Sequence, residues 1–247
     1  MSKDLVSPTK RLSHLMGLSI PEVTNLIDTV LLLWQKYHFV FLDGLWGTLW
    51  LSAISVLAAT VLGAILTLMK LSKSRLLDLL VYLFMLIIRG TPILLQLYFF
   101  WLWLPQISPI ALSDTQCIVV ALVVNASAYV AEVIRAGIQA VDIGQTEAAK
   151  SLGISPIHTL TYVVVPQAVK NILPALGNQY IMMIKQTSLA SVFFVQELMT
   201  SYKTVQSATF LSIPSLMVVG LIYLVLTTVL TEGLVLFERR LQKSERS

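Results

Sequence analysis

Charge is the first thing this chain lacks. Only 12% of its residues are Asp, Glu, Lys or Arg, against 56% hydrophobic, and the mean hydropathy is +0.81. A soluble domain carries roughly 25% charged residues, so a soluble globular fold is excluded for want of polar surface. Cysteine is nearly absent. The single one, Cys117, rules out an internal disulfide and, set in an apolar run, packs as a small hydrophobe. His14, His38 and His158 are far apart and show no metal-ligand spacing. G-x-x-x-x-G-K-[ST], G-x-G-x-x-G and H-E-x-x-H are all missing, which removes ATP binding by a phosphate loop and the commonest dinucleotide and zinc chemistries. An intramembrane protease needs a nucleophile and base, or paired aspartates, within its spans. Asp43, Asp78, Asp114 and Asp142 fall instead at span edges or in loops. No catalytic residue and no metal site is expected, and a net charge of +4 does not suggest nucleic acid. Met1 to Pro21 also lacks the basic-then-apolar layout of a signal peptide.

What is present is apolar length. A spanning helix needs about 20 predominantly apolar residues, and five segments qualify: Gly44 to Met69, Leu79 to Leu104, Thr115 to Ile134, Ile172 to Val195 and Ile213 to Phe237. The expectation is an all-α integral membrane protein with five transmembrane helices. Lys and Arg mark the inner side of short loops. Ten of them lie between spans one and two, between three and four, and after five, against Lys203 alone in the opposite loops. That places the C-terminus and the 135–170 loop in the cytoplasm and the N-terminus outside, with Lys3, Lys10, Arg11 and Lys36 of the N-terminal arm as the one feature that would favour the inside. Leu26 to Leu42 is apolar but broken by Asp28, Lys36 and His38. It reads as an interfacial amphipathic helix, or as a sixth span at a cost in buried charge. Ser55, Ala59 and Gly63 let a second helix approach closely, either within the chain or at a dimer seam.

The most informative segment is polar. Asp142 and Gln145 fit a capping box, and Gly153 fits a helix C-cap that needs a left-handed residue. Ser155 and Pro156 restart a helix, and Pro166 restricts the helix around it. The run Glu147-Ala148-Ala149, then Gly153, then Val163-x-Val165-Pro166 resembles the EAA loop of ABC importer permeases, with Val where that family prefers Ile and Leu. Further blocks are similar to the polar amino-acid branch of those permeases. They are Arg89-Gly90-Thr91-Pro92 with Gln96, Asn125 to Glu132, Arg135-Ala136-Gly137, Leu173 to Asn178, Lys185-x-Thr187-Ser188-Leu189, and Phe237-Glu238-Arg239-Arg240.

The resemblance implies a type I ABC importer permease fold over residues 41–241, with a cytoplasmic EAA coupling loop at 136–170. Residues 1–40 are then an interfacial extension and 242–247 a cytoplasmic tail. It implies a bacterial cytoplasmic-membrane protein that works with an ABC ATPase subunit, a second permease subunit (the same or a related chain) and an extracytoplasmic solute-binding protein. ATP and Mg would sit on the ATPase, with no cofactor in this chain. Glu147, Ala148, Ala149, Gly153 and Pro166 would couple the ATPase to the spans, and an amino acid would be the cargo.

Ionisable and amide groups inside spans tend to face a bundle interior or a water-filled cavity. Arg89 lies roughly 15 Å along a helix from Asp78, near mid-membrane. It either caps carbonyls freed by Pro92 or lines the solute path. Gln96, Asn125, Ser127, Asn178, Gln179, Met182, Lys185, Thr187 and Ser188 complete the candidate path. Lys185 offers a donor for a substrate carboxylate, and the amides and hydroxyls offer acceptors for an ammonium group. Helix–helix hydrogen bonding explains Asn125 and Ser127 equally well. Branch members that move cationic amino acids can carry a carboxylate around Gln179, so its amide here leans toward a neutral or polar solute such as glutamine. The competing reading is an ion-coupled secondary amino-acid transporter, which inverted repeats would support and for which no internal self-similarity is visible.

Overall fold

A computed structural model describes residues 26–243 apart from residue 73. The expected placement of residues 1–25 and of tail residues 244–247 lies outside the described residues. Among the described residues the elements are helical and no strand occurs. They run α1 (Leu26–Leu71), α2 (Arg75–Gly90), α3 (Ile93–Ile107), α4 (Asp114–Gln139), α5 (Ile143–Ser151) and α6 (Pro156–His158), then a π-helical stretch (Thr159–Val164). Next come α7 (Val165–Gln186), a 3₁₀ stretch (Thr187–Phe193), α8 (Leu198–Thr209) and α9 (Ser212–Lys243).

The sequence predicts a separate segment before the first span. Instead α1 is one helix of 46 residues, about 70 Å long and more than twice the ~30 Å hydrocarbon thickness. Its first turns are not loose. Leu33 and Phe41 are buried with Leu198, Val205, Val218 and Val219 from α8 and α9. Asp28, Lys36 and His38 point to the exposed side, which is why they do not interrupt the helix.

The predicted second span is broken. α2 and α3 meet at 109°. Thr91 is extended (φ −117°, ψ 147°), as a residue before proline tends to be, and Pro92 caps the next helix. α4 is the central post, opened by Ser113 and Gln116 in a reciprocal capping box. It packs against α1 where Gly63 stands. A Cβ there would lie 2.9 Å from the Ala131 nitrogen and from Val130 Cγ1, and the Thr67 hydroxyl donates across to the Ala131 carbonyl (3.0 Å). The row Ser55, Ala59 and Gly63 thus serves a contact inside the chain. The main core gathers Leu51, Leu97, Ile118, Leu122, Val130, Met183 and Phe193 around α4.

By length and composition three helices, α1, α4 and α9, are apolar enough to cross a membrane, and α2–α3 makes a fourth if the bent pair is one span. α7, the expected fourth of five spans, is long enough at 22 residues but is not among them. Lys170, Asn171, Asn178, Gln179 and Lys185 dilute its hydropathy.

Candidate functional site

Two places concentrate polar chemistry. The first is the hairpin formed by α5 and α6. Asp142 caps α5 by accepting from the Gly144 N–H (2.7 Å). Of the predicted capping box, only this half forms, one residue earlier than expected. The C-terminus closes in a Schellman pattern. Gly153 has φ +75°, its N–H donates to the Lys150 carbonyl (3.0 Å), and the Ile154 N–H donates to the Ala149 carbonyl (3.0 Å). Ser155 caps α6, with Pro156 in its first turn. The chain then widens into the π stretch before Pro166, whose ring would crowd the carbonyl four residues back in a regular α-helix.

The hairpin's surface is not an ordinary solvated one. Ala149 is buried, while Glu147 and Ala148 are exposed. Around them stand Ile143, Leu152, Ile157 and Tyr162, each at least 73% exposed. Large apolar side chains and the exposed Glu147 carboxylate thus share one short polar loop.

The second place is the set of candidate path residues, which the fold separates into closed and open groups. Gln96 and Asn125 are buried and bond to each other. The Asn125 amide donates to the Gln96 Oε1 (2.8 Å), and the Gln96 amide donates to the Ile88 carbonyl (2.7 Å) and the Thr91 hydroxyl (2.8 Å). Their polar atoms stitch the α2–α3 bend to α4. Ser127 and Thr187 are fully buried and donate to carbonyls of their own helix, Val124 and Ile184 (2.8 Å each). Gln179 is 5% exposed, and its Nε2 has no hydrogen-bond partner.

The open group is different. Asn178, Met182 and Lys185 share one face of α7 and are all exposed, with half-buried Ser188 one turn on. Arg89 is also exposed and lies over the Tyr129 ring at 5.8 Å. Within a membrane span such groups tend to face the bundle interior or a water-filled cavity. Glu132, the nearest acid on α4, is taken by Arg135 (Nε to Oε2, 3.1 Å).

One polar centre is not among the residues expected from the sequence. Glu197 is fully buried and caps α8, accepting from the Met199 N–H (2.8 Å), the Thr200 N–H (2.6 Å) and the Tyr223 hydroxyl (3.3 Å). The Leu198 N–H next to it donates to the Thr48 hydroxyl of α1 (3.0 Å). A Cβ at Gly47 would run into the Gln196 carbonyl, so glycine there permits the approach. Burial pushes the Glu197 carboxyl up to about 6, against the lowering by the Met199 and Thr200 N–H groups. A signal for it was present in the chain. An acid stands immediately before Leu198, Ser201 and Val205, which share one helical face, as at a helix start.

Comparison with known proteins points one way. The family described as "Binding-protein-dependent transport system inner membrane component" matches residues 59–243. The chain is 36% identical over 205 residues to the "Probable glutamine ABC transporter permease protein GlnM" of Bacillus subtilis (strain 168), covering 83% of this chain and 94% of that one. It is 37% identical over 200 residues to the "Nopaline transport system permease protein NocM" of Agrobacterium fabrum (strain C58 / ATCC 33970), covering 77% and 83%. A solved structure described as "Crystal structure of an amino acid ABC transporter with histidines" superposes with a TM-score of 0.80 at 41% identity, over 85% of this chain and 97% of that one.

Proposed function

The chain belongs to the binding-protein-dependent transport system inner membrane component family, and from that premise we propose that it is the amino-acid conduit of an importer whose motor is a separate ATPase. It is a permease of the ABC importer class. In the finer reading, the hairpin at Glu147 docks in a groove of the ATPase by helix-in-groove contact. Nucleotide-driven closure of two ATPases draws two hairpins together and rocks the spans between inward- and outward-facing states. ATP and Mg belong to that partner.

The observation that carries this reading is the surface of the hairpin itself. A Schellman-locked turn holds Glu147 and Ala148 exposed among Ile143, Leu152, Ile157 and Tyr162. Such a surface fits a protein partner and is unsuited to bulk water. Ala148 permits close approach, Gly153 makes the turn, and Glu147 meets a basic or donor group. In this reading the hairpin lies in the cytoplasm, the C-terminus with it and the N-terminus outside, which the excess of Lys and Arg in the loops on the hairpin's side supports. α7 is then also a span, the fourth in chain order, which brings the number to five. It crosses the bacterial cytoplasmic membrane with its polar face turned from lipid toward the solute and the second permease subunit.

The open row Asn178, Met182, Lys185 and Ser188, with Arg89, then lines the path. Lys185 and Arg89 offer donors to a substrate carboxylate. A carboxylate to hold a cationic side chain is missing at Gln179, which favours a neutral polar amino acid such as glutamine, delivered by an extracytoplasmic binding protein. The test is the variant Glu147→Lys in the reconstituted complex. It should insert normally and lose binding-protein-stimulated ATP hydrolysis. Full stimulation would contradict the coupling role.

A further inference from the structure

The helical rod that ends as α7 begins in the hairpin, and its winding changes on the way. From Pro156 to Gln186 the chain is helical without a gap, as α6, the π stretch Thr159–Val164 and α7 follow one another directly. Ala168, Val164 and Thr159 are buried, at successive steps of four and five residues back along the rod. A step of four is close to one α-helical turn. The step of five holds one residue too many, and the π stretch absorbs it. The Val165 N–H donates to the Leu160 carbonyl, five positions back. In an unbroken α-helix, Leu160 and Ile157 would share the buried side of Val164. Here Leu160 is 39% exposed and Ile157 76%.

Pro166 stands just past this stretch and has no N–H to give. The Tyr162 carbonyl, its partner in an α pattern, and the Thr161 carbonyl, its partner in a π pattern, both go without that bond. Beside the gap, the Gln167 side-chain amide donates to the Val163 carbonyl (2.9 Å). Exchange between the π and α patterns therefore sacrifices one main-chain bond fewer here than in a helix without proline. The position matters as much as the pattern. α5 and α6 pack chiefly against the π stretch, and the stretch packs in turn on α7. Single π turns inside α-helices are rare, gather at functional sites and are among the few identifiable causes of a helix kink.

We infer that the π stretch Thr159–Val164 is the joint through which the hairpin moves α7, an inference that rests on the proposed docking of the hairpin to an ATPase. A displacement of α5 and α6 reaches α7 through one turn that can pass between two hydrogen-bond patterns. The hairpin can then tilt against α7 without unwinding the rod on either side. A bistable turn between a driven element and a driven span is what rigid-body coupling needs.

The test is a deletion in the complete complex, with both permease subunits, ATPases and binding protein, reconstituted in vesicles. Removal of Thr161 shortens the step from Thr159 to Val164 to four residues, so an α-helix runs through with the same residues facing inward. Uptake of radiolabelled glutamine and ATP hydrolysis are measured together. The deletion should leave hydrolysis running and cut the glutamine imported per ATP at least several-fold. Thr161→Ala, which keeps the residue count, should hold the parental ratio. A parental ratio in the deletion variant would overturn the joint, and so would an equal loss in Thr161→Ala. If the deletion variant does not assemble, amide exchange in the parental complex decides. Exchange across Leu160 to Val165 should differ at least several-fold between the nucleotide-free and ATP-bound states, and identical exchange in both would overturn the joint. A parent that imports nothing with ATP sinks the importer reading itself. An importing parent whose deletion variant imports equally well per ATP sinks the joint alone.

Discussion

The Asn125 side-chain amide donates to the Gln96 amide oxygen at 2.8 Å, linking α4 to the bend between α2 and α3. Through Gln96 the same network reaches the Ile88 carbonyl and Thr91, so two side chains brace a 109° change of direction. Removing either partner leaves a buried amide unpaired. Asn125→Leu and Gln96→Leu should each lower stability by about 1–3 kcal/mol. The double variant should cost less than the sum, since the second change removes an orphan that the first created. Denaturant titration of the detergent-solubilised protein checks this. Strict additivity would mean that the bond does not couple the elements.

The buried carboxylate at the start of α8 gives a pH dependence. Glu197 titrates near 6 in the folded protein, raised by burial from an ordinary 4.5. Its protonated form is therefore favoured by folding. That contribution is complete below about 4.5 and is lost as pH rises through about 6, an effect on the order of 2 kcal/mol. Glu197→Gln keeps an acceptor for the cap and should flatten the stability profile between these values. Glu197→Ala should lower stability at every pH, by about 0.5–2 kcal/mol for the lost cap. Melting temperatures of the three proteins from pH 4 to pH 8 decide it.

The local chemistry of the hairpin was legible from the chain alone. Gly153 at a left-handed C-cap, Ser155 as a cap and Pro156 in a first turn are short-range demands, satisfied within a few residues. The break at Arg89 to Pro92 was legible too, but its angle was not, because that depends on Asn125, 29 positions beyond Gln96. The length of α1 was hidden for a different reason. Asp28, Lys36 and His38 break the apolar run, yet a helix with one face packed on α8 and α9 carries charges on its other face without ending. Glu197 is not legible as a buried centre because its enclosure comes from distant elements, with Tyr223 donating to it and Thr48 accepting from the adjacent Leu198 N–H. The split of the candidate path into paired and open residues is likewise a property of packing, since Asn125 and Asn178 read alike in sequence.

Gly153 should carry more of the coupling than its size suggests. Alanine at φ +75° is strained by about 1–2 kcal/mol, enough to fray the turn that presents Glu147. Gly153→Ala should raise amide exchange at Leu152 to Ile154 and reduce stimulated ATP hydrolysis, with no change in membrane insertion. Unchanged exchange and unchanged stimulation would show that the turn's geometry is not needed for docking.

The open and closed path residues should separate in transport. Lys185 is exposed on the α7 face, whereas Ser127 is fully buried and bonded to its own helix. Lys185→Met should depress uptake strongly while leaving the complex assembled, and Ser127→Ala should leave uptake at the parental level. Uptake assays on purified, reconstituted variants test this. Equal effects would dissolve the distinction between the two groups.

The central claim is that this chain moves solute only when a separate ATPase works on its hairpin. The direct measurement is uptake of labelled glutamine into sealed vesicles, with the chain and its partner permease alone or with ATPase, binding protein and ATP added. The account predicts uptake only in the complete mixture, and none when ATP is withheld or Glu147 is changed to Lys. Concentrative uptake without the ATPase, driven by an ion gradient alone, would contradict it.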